Sequence, residues 1–141
     1  MNNINIKTEG LDELKDKLAM IAEQINLAAP TWAAASVLIR ATQENLPQSV
    51  KHMKDGVRYS FNKQKAEGKV HIMGGGSVYN DYMLRWFEKG TALRTTKDGK
   101  NRGKMPAYWF FRNAVNSSQQ EAMDAYKETF NEQLQRIWNN E

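Results

Sequence analysis

Asp81 and Glu88 stand seven residues apart, on one side of any helix that spans them. Two carboxylates so placed could act as acid and base, or share a divalent cation in a metal-dependent nuclease. Such a centre wants further acids close by, whereas the neighbours here are Tyr82, Arg85, Trp86, Phe87 and Lys89, which are basic or aromatic. His52 falls in a polar stretch and His71 on the wet face of an expected strand. Neither has a second histidine or a carboxylate at ligand spacing. The chain has no cysteine, which removes a thiol nucleophile, a disulfide framework and thiolate zinc sites together. Gly74-Gly75-Gly76 is unaccompanied by Gly-Lys-Ser or Gly-x-Gly-x-x-Gly and reads as a flexible connector rather than a phosphate cradle. The expectation is a chain that is not an enzyme, with no catalytic residue, no metal, no cofactor and no small-molecule substrate.

Binding is better represented. Most of the positive excess sits in Arg85, Lys89, Arg94, Lys97, Lys100, Arg102, Lys104 and Arg112, opposed in that stretch only by Glu88 and Asp98. A local field of this kind can meet nucleic acid or an acidic protein surface. Residues 91–104 read as a flexible basic loop, with Gly99 and Gly103 inside it. Its two ends carry Trp86 and Phe87 on one side and Trp109, Phe110 and Phe111 on the other. These remove enough apolar surface from water to hold the ends of the loop together. Tyr108 to Phe111 could stack unpaired bases, but a contiguous block of this size reads as core on one side and protein interface on the other. Gly90 suits a helix stop in the left-handed conformation. Glu88, a carboxylate in a helix's last turn, needs a compensating partner: Arg85, Arg112, or the Thr91 amide and hydroxyl.

The elements that must position these residues follow from periodicity. Ile4 and Ile6 alternate with polar residues as a short edge strand would. Leu11, Leu14, Leu18, Ile21 and Ile25 recur at three and four and line one side of a first helix, with Asp12 and Glu13 in its first turn. Pro30 suits the first position of a second helix, rich in Ala33, Ala34, Ala35 and Ala41, which lets another helix or a sheet approach closely. That helix is expected to stop before Pro47, with a polar connection at 48–55. Val57, Tyr59 and Phe61, then Val70 and Ile72, alternate as an antiparallel hairpin turning at Glu67-Gly68. A helix is expected over 79–89, and after Asn113 a long one carrying Met123, Tyr126, Phe130, Leu134, Ile137 and Trp138. With 141 residues the chain holds one domain, 1–141. The expected fold is α+β, a small antiparallel sheet packed against an N-terminal helix pair and a long C-terminal helix. No apolar run reaches the roughly 20 residues of a membrane span, and the first residues lack a basic and then apolar leader.

The order of these pieces carries a resemblance. A short amphipathic helix, a helix closed by proline, a strand pair, Tyr82-x-x-x-x-Phe87-Glu88-x-Gly90-Thr91, Pro106-Ala107-x-x-Phe110 followed by Phe111, Arg112 and Ala114, and a long final helix resemble the tail-completion, or head-to-tail joining, proteins of long-tailed phages. This is the gene-product-ten family of lambdoid siphophages. Asn113 stands where the family usually shows a second proline, and Lys54-Asp55-Gly56-Val57 where it shows Thr-Gly-x-Leu. The resemblance implies a structural protein of a phage or prophage, a minor tail or neck component of the virion made in the host cytoplasm. It implies a homo-oligomer, a hexameric ring when assembled, whose partners are the head connector and the tail-tube or tail-terminator proteins, with DNA passing through the channel. It casts Trp86, Phe87, Trp109 and Phe110 in subunit packing and Glu88, Gly90 and Thr91 at the exit of the loop, with Arg94, Lys97, Lys100, Arg102 and Lys104 facing a neighbouring ring or DNA. The alternative that the residues support is a small nucleic-acid-binding protein using the loop at 91–104.

Overall fold

The structure, a computed structural model, describes residues 10–72 and 81–139. The expected strand at Ile4 and Ile6 and the connector Gly74-Gly75-Gly76 lie outside them, as does the side chain of Asp81. In chain order the described elements are α1 (Leu11–Gln24), α2 (Ala28–Glu44), a 3-10 segment (Gln48–Gly56), β1 (Arg58–Asn62), β2 (Glu67–His71), α3 (Asp81–Lys89) and α4 (Phe110–Asn139). Helices cover a two-stranded antiparallel sheet, so the fold is α+β.

The centre of the molecule is the crossing of α2 and α4, and its cause is side-chain size. Along α4 the buried residues are Phe110, Ala114, Ser118 and Ala122, each four positions after the last. On α2 they include Pro30, Ala35, Val37 and Thr42. Two small-residue rows let the helix backbones approach closely, and the hydroxyls buried there are satisfied locally. Thr42 Oγ1 donates to Leu38 O at 2.7 Å and Ser118 Oγ to Ala114 O at 2.6 Å. Of the large residues expected on the buried face of the last helix, Tyr126, Phe130, Leu134 and Ile137 are half-buried and Tyr126 continues the small-residue row opposite Ala34 and Ala35, whereas Met123 and Trp138 are exposed. The helix also begins at Phe110 rather than after Asn113. Pro30 lies in the first turn of α2 but not at its first residue, which is Ala28.

The 48–55 stretch is not a polar connection. It forms 3-10 turns on either side of a kink at Met53, and it buries Val50, Met53 and Gly56. Val50 and Met53 join Leu46, Leu84 and Phe110 in the core cluster, with Ile72, Met83, Phe87 and Phe111 packed around it. This cluster ties α3 to the start of α4.

The hairpin turns at 63–66, and Glu67-Gly68 belong to β2, paired with Asn62 and Phe61. Asn62 Oδ1 accepts from the amides of Gln64 and Lys65 at 3.0 and 3.1 Å, which closes the turn earlier than the glycine would. Gly68 has a packing reason instead: a Cβ there would sit 2.9 Å from Cε2 of the Tyr59 ring. Tyr59 donates its hydroxyl to Thr31 Oγ1 at 3.0 Å and meets the Trp32 ring edge-on at 5.1 Å, fixing the sheet on α2. Tyr59→Phe is expected to lower stability by about 1 kcal/mol, read as a shift in the urea midpoint at unchanged slope.

α1 is helical where its periodicity places it, yet it buries none of its residues, and Leu11, Leu14 and Leu18 are exposed. Its attachments are to α4. The Asn26 amide donates to Gln133 Oε1 at 3.0 Å while Gln133 Nε2 donates to Asn26 O at 3.1 Å, and Lys17 lies 4.7 Å over the Trp138 ring.

Candidate functional site

At the end of α3 two backbone groups go unpaired within the helix, and each finds a partner in the segment that leads into α4. Gly90, at φ +72, donates to Trp86 O at 2.7 Å and turns the chain out of the helix. The carbonyls of Phe87 and Glu88 accept the amides of Tyr108 and Trp109 at 2.8 and 3.2 Å. The two ends of the basic segment are therefore hydrogen-bonded to each other before any side chain is considered.

Glu88 then joins the helices end to end. Its carboxylate accepts the amide of Phe111 at 2.8 Å and that of Arg112 at 3.1 Å, two of the donors that the first turn of α4 leaves without an intrahelical acceptor. A negative charge in the last turn of α3 opposes that helix's dipole, but it complements the N-terminus of α4. The group is only 5% exposed. Of the partners expected from sequence, Arg112 takes part through its backbone amide; its guanidinium lies 5.5 Å over the Trp109 ring. Thr91 bonds elsewhere. Its amide donates to Met105 O at 3.0 Å and its Oγ1 accepts the Met105 amide at 2.9 Å, closing the base of the arm. Sequence reasoning missed Met105 and the Phe111 amide, since a backbone donor leaves no mark in residue type.

The flanking aromatics divide by burial. Phe110 is core, Phe87 and Phe111 are half-buried against it, and Trp86 and Trp109 each keep 40% of their surface exposed. Phe87 stacks at a tilt on Tyr108 with ring centroids 5.7 Å apart. Trp109 takes φ +53, a left-handed conformation uncommon for a bulky residue, immediately before α4. Pro106 lies in the return segment that packs on Gly90.

The segment expected as a structureless loop carries a hydrogen-bonded ladder. Thr95 bridges Asn101, Thr96 donates to Lys100 O at 2.9 Å, Gly99 to Thr96 O at 3.0 Å, and Arg102 to Arg94 O at 2.7 Å. The tip is a three-residue turn with Gly99 at φ +75, and Arg102 and Gly103 both bond Arg94, a bulge with Gly103 at φ +73. Turn chemistry and two glycines replace the apolar residues that the ladder lacks. Arg94, Lys97, Lys100, Arg102 and Lys104 are all exposed. Five cations against Asp98 equal the formal net charge of +4 of the whole chain, so the remainder of the molecule is formally neutral.

His52 is exposed, and His71 lines an open groove of about 350 Å³ with Ile72, Arg85, Lys89 and Phe111. Among the described residues no group of three or more His, Cys, Asp or Glu could hold a metal ion, and no helix is long and apolar enough to cross a membrane. No protein-family model matches the chain, and no curated protein or solved structure matches it.

Proposed function

We propose that this chain is a structural protein of a phage or prophage neck or tail, which assembles as a ring in tail completion and head-to-tail joining. The observation that carries the reading is the basic arm at 91–104, anchored to a rigid helical body through Glu88, Gly90 and Thr91. A pre-positioned arm loses little conformational freedom when it engages a neighbour. Exposed Trp86, Tyr108 and Trp109 surround its base, and Leu93, 60% exposed, stands on the arm itself. Aromatic and arginine-rich surfaces of this kind suit a protein interface. An apolar contact at one place on the surface and a projecting arm at another associate head to tail, and a ring results where the rotation closes. The partners proposed are further copies of the chain, six in a ring, together with the head connector and the tail tube or its terminator. The virion is its place, and the host cytoplasm the site of assembly.

Sedimentation velocity over a wide concentration range, with and without a purified connector or tail-tube protein, tests the reading. Association is expected to grow with concentration or on adding that partner. Leu93→Glu is expected to weaken it by about tenfold or more at unchanged thermal midpoint. A chain that stays monomeric under every one of these conditions would overturn the proposal.

A further inference from the structure

The arm has two faces of different chemistry. In an antiparallel ladder, directly opposed residues share a face and successive residues alternate. The Thr95 and Asn101 bridge marks one face, which by alternation also takes Leu93. The flanking pairs, Arg94 with Arg102 and Thr96 with Lys100, fall on the other. Three cations thus share one side of a short ribbon with a threonine and no apolar residue. Among the described residues, none of the arm's five cations is paired with a carboxylate.

We infer that the face formed by Arg94, Lys100 and Arg102 is a contact surface for the phosphodiester backbone of nucleic acid. A protein partner would need an apolar centre to exclude water, and this face offers none, whereas the opposite face offers Leu93. A chain of phosphates needs only positive charge and N–H donors, which the two guanidiniums present as bidentate forks and the ammonium as a point charge. With the rest of the molecule formally neutral, the arm is where a polyanion is drawn. The contact reads no sequence, since phosphate contacts position a protein without specifying a base.

Fluorescence anisotropy of the full chain with a labelled duplex of about 25 base pairs, and with its separate strands, tests this as salt is raised from about 50 to about 200 mM. Three neutralised phosphates give a duplex slope of about −2.7 in log affinity against log salt, a loss of about 40-fold over that range. A smaller slope is expected for single strands, about −2. Arg94→Ala/Lys100→Ala/Arg102→Ala is expected to abolish the salt-dependent binding, with circular dichroism unchanged. Lys63→Ala/Lys65→Ala, exposed lysines in the β1–β2 turn, is expected to leave the slope as it was. No binding at the lowest salt, an unchanged slope in the triple variant, or displacement by polyglutamate as effective as by DNA would each overturn the inference. Ring formation is read separately by sedimentation, where Leu93→Glu weakens association while its DNA slope persists.

Discussion

Glu88→Ala is expected to cost the fold about 3 kcal/mol, although the side chain belongs to no catalytic set and lies in a helix only nine residues long. Two charge-assisted hydrogen bonds are lost at once, and the amides of Phe111 and Arg112 are left facing a site from which water is largely excluded. An ordinary N-cap is worth about 1 kcal/mol, and hydrogen bonds to a charged group about 1.5 to 3. The upper part of that range applies because the carboxylate is buried and serves two donors. Glu88→Gln separates charge from shape. The amide keeps one carbonyl acceptor but turns an NH₂ toward a backbone N–H, so it recovers less than half of the loss. Urea unfolding gives the values directly. Loss of amide-exchange protection at Phe111 and Arg112 locates the effect at the start of α4, whereas a glutamate that merely filled space would leave those two amides protected in the glutamine variant.

The difference between what was legible in the sequence and what was not follows the same line between side chains and backbone. α1, α2, the hairpin and the stop at Gly90 were legible because apolar periodicity, small-residue rows and glycine each act through residue type. The 3-10 segment was masked by its charged residues, between which Val50, Met53 and Gly56 are buried. α4 starts four residues before the position that its periodicity marks, because its cap comes from Glu88, more than twenty positions upstream, and no local pattern announces it. The large residues of α4 mark its buried side beyond Ala122, while the small ones before it, Ala114 and Ser118, make the crossing and carry no hydrophobic signal of their own. The leucines of α1 satisfy periodicity, yet Leu11, Leu14 and Leu18 are exposed. For the arm, charge and glycine content suggested a loop, while the ladder depended on cross-strand pairing that composition does not encode. The proximity of its two ends was legible, because aromatic residues on both flanks require a shared apolar environment.

Gly90→Ala is expected to cost about 3 to 4 kcal/mol, more than a left-handed glycine ordinarily contributes. Placing a side chain at φ +72 accounts for about 1 to 2 kcal/mol. The remainder comes from where the new methyl group goes: 2.7 Å from Met105 O and 2.9 Å from the amide nitrogen of Ala107. Both contacts are backbone and cannot rotate away. Met105 O is the acceptor for Thr91, and Ala107 precedes the Tyr108 amide that bonds Phe87 O, so relief of the clash must pull apart the bonds that close the arm's base. Gly99→Ala supplies the comparison. It has nearly the same angle, φ +75, but a Cβ there meets nothing within 4 Å, so its expected cost is the conformational part alone, about 1 to 2 kcal/mol. The gap between the two substitutions, about 2 kcal/mol in urea unfolding, measures how tightly the arm's base is held. Amide exchange at Thr91 and Tyr108 is expected to quicken in the Gly90 variant and not in the Gly99 variant. Equal costs for the two would mean that the chain near Met105 yields freely, and the arm would then be hung loosely on the body rather than fixed to it.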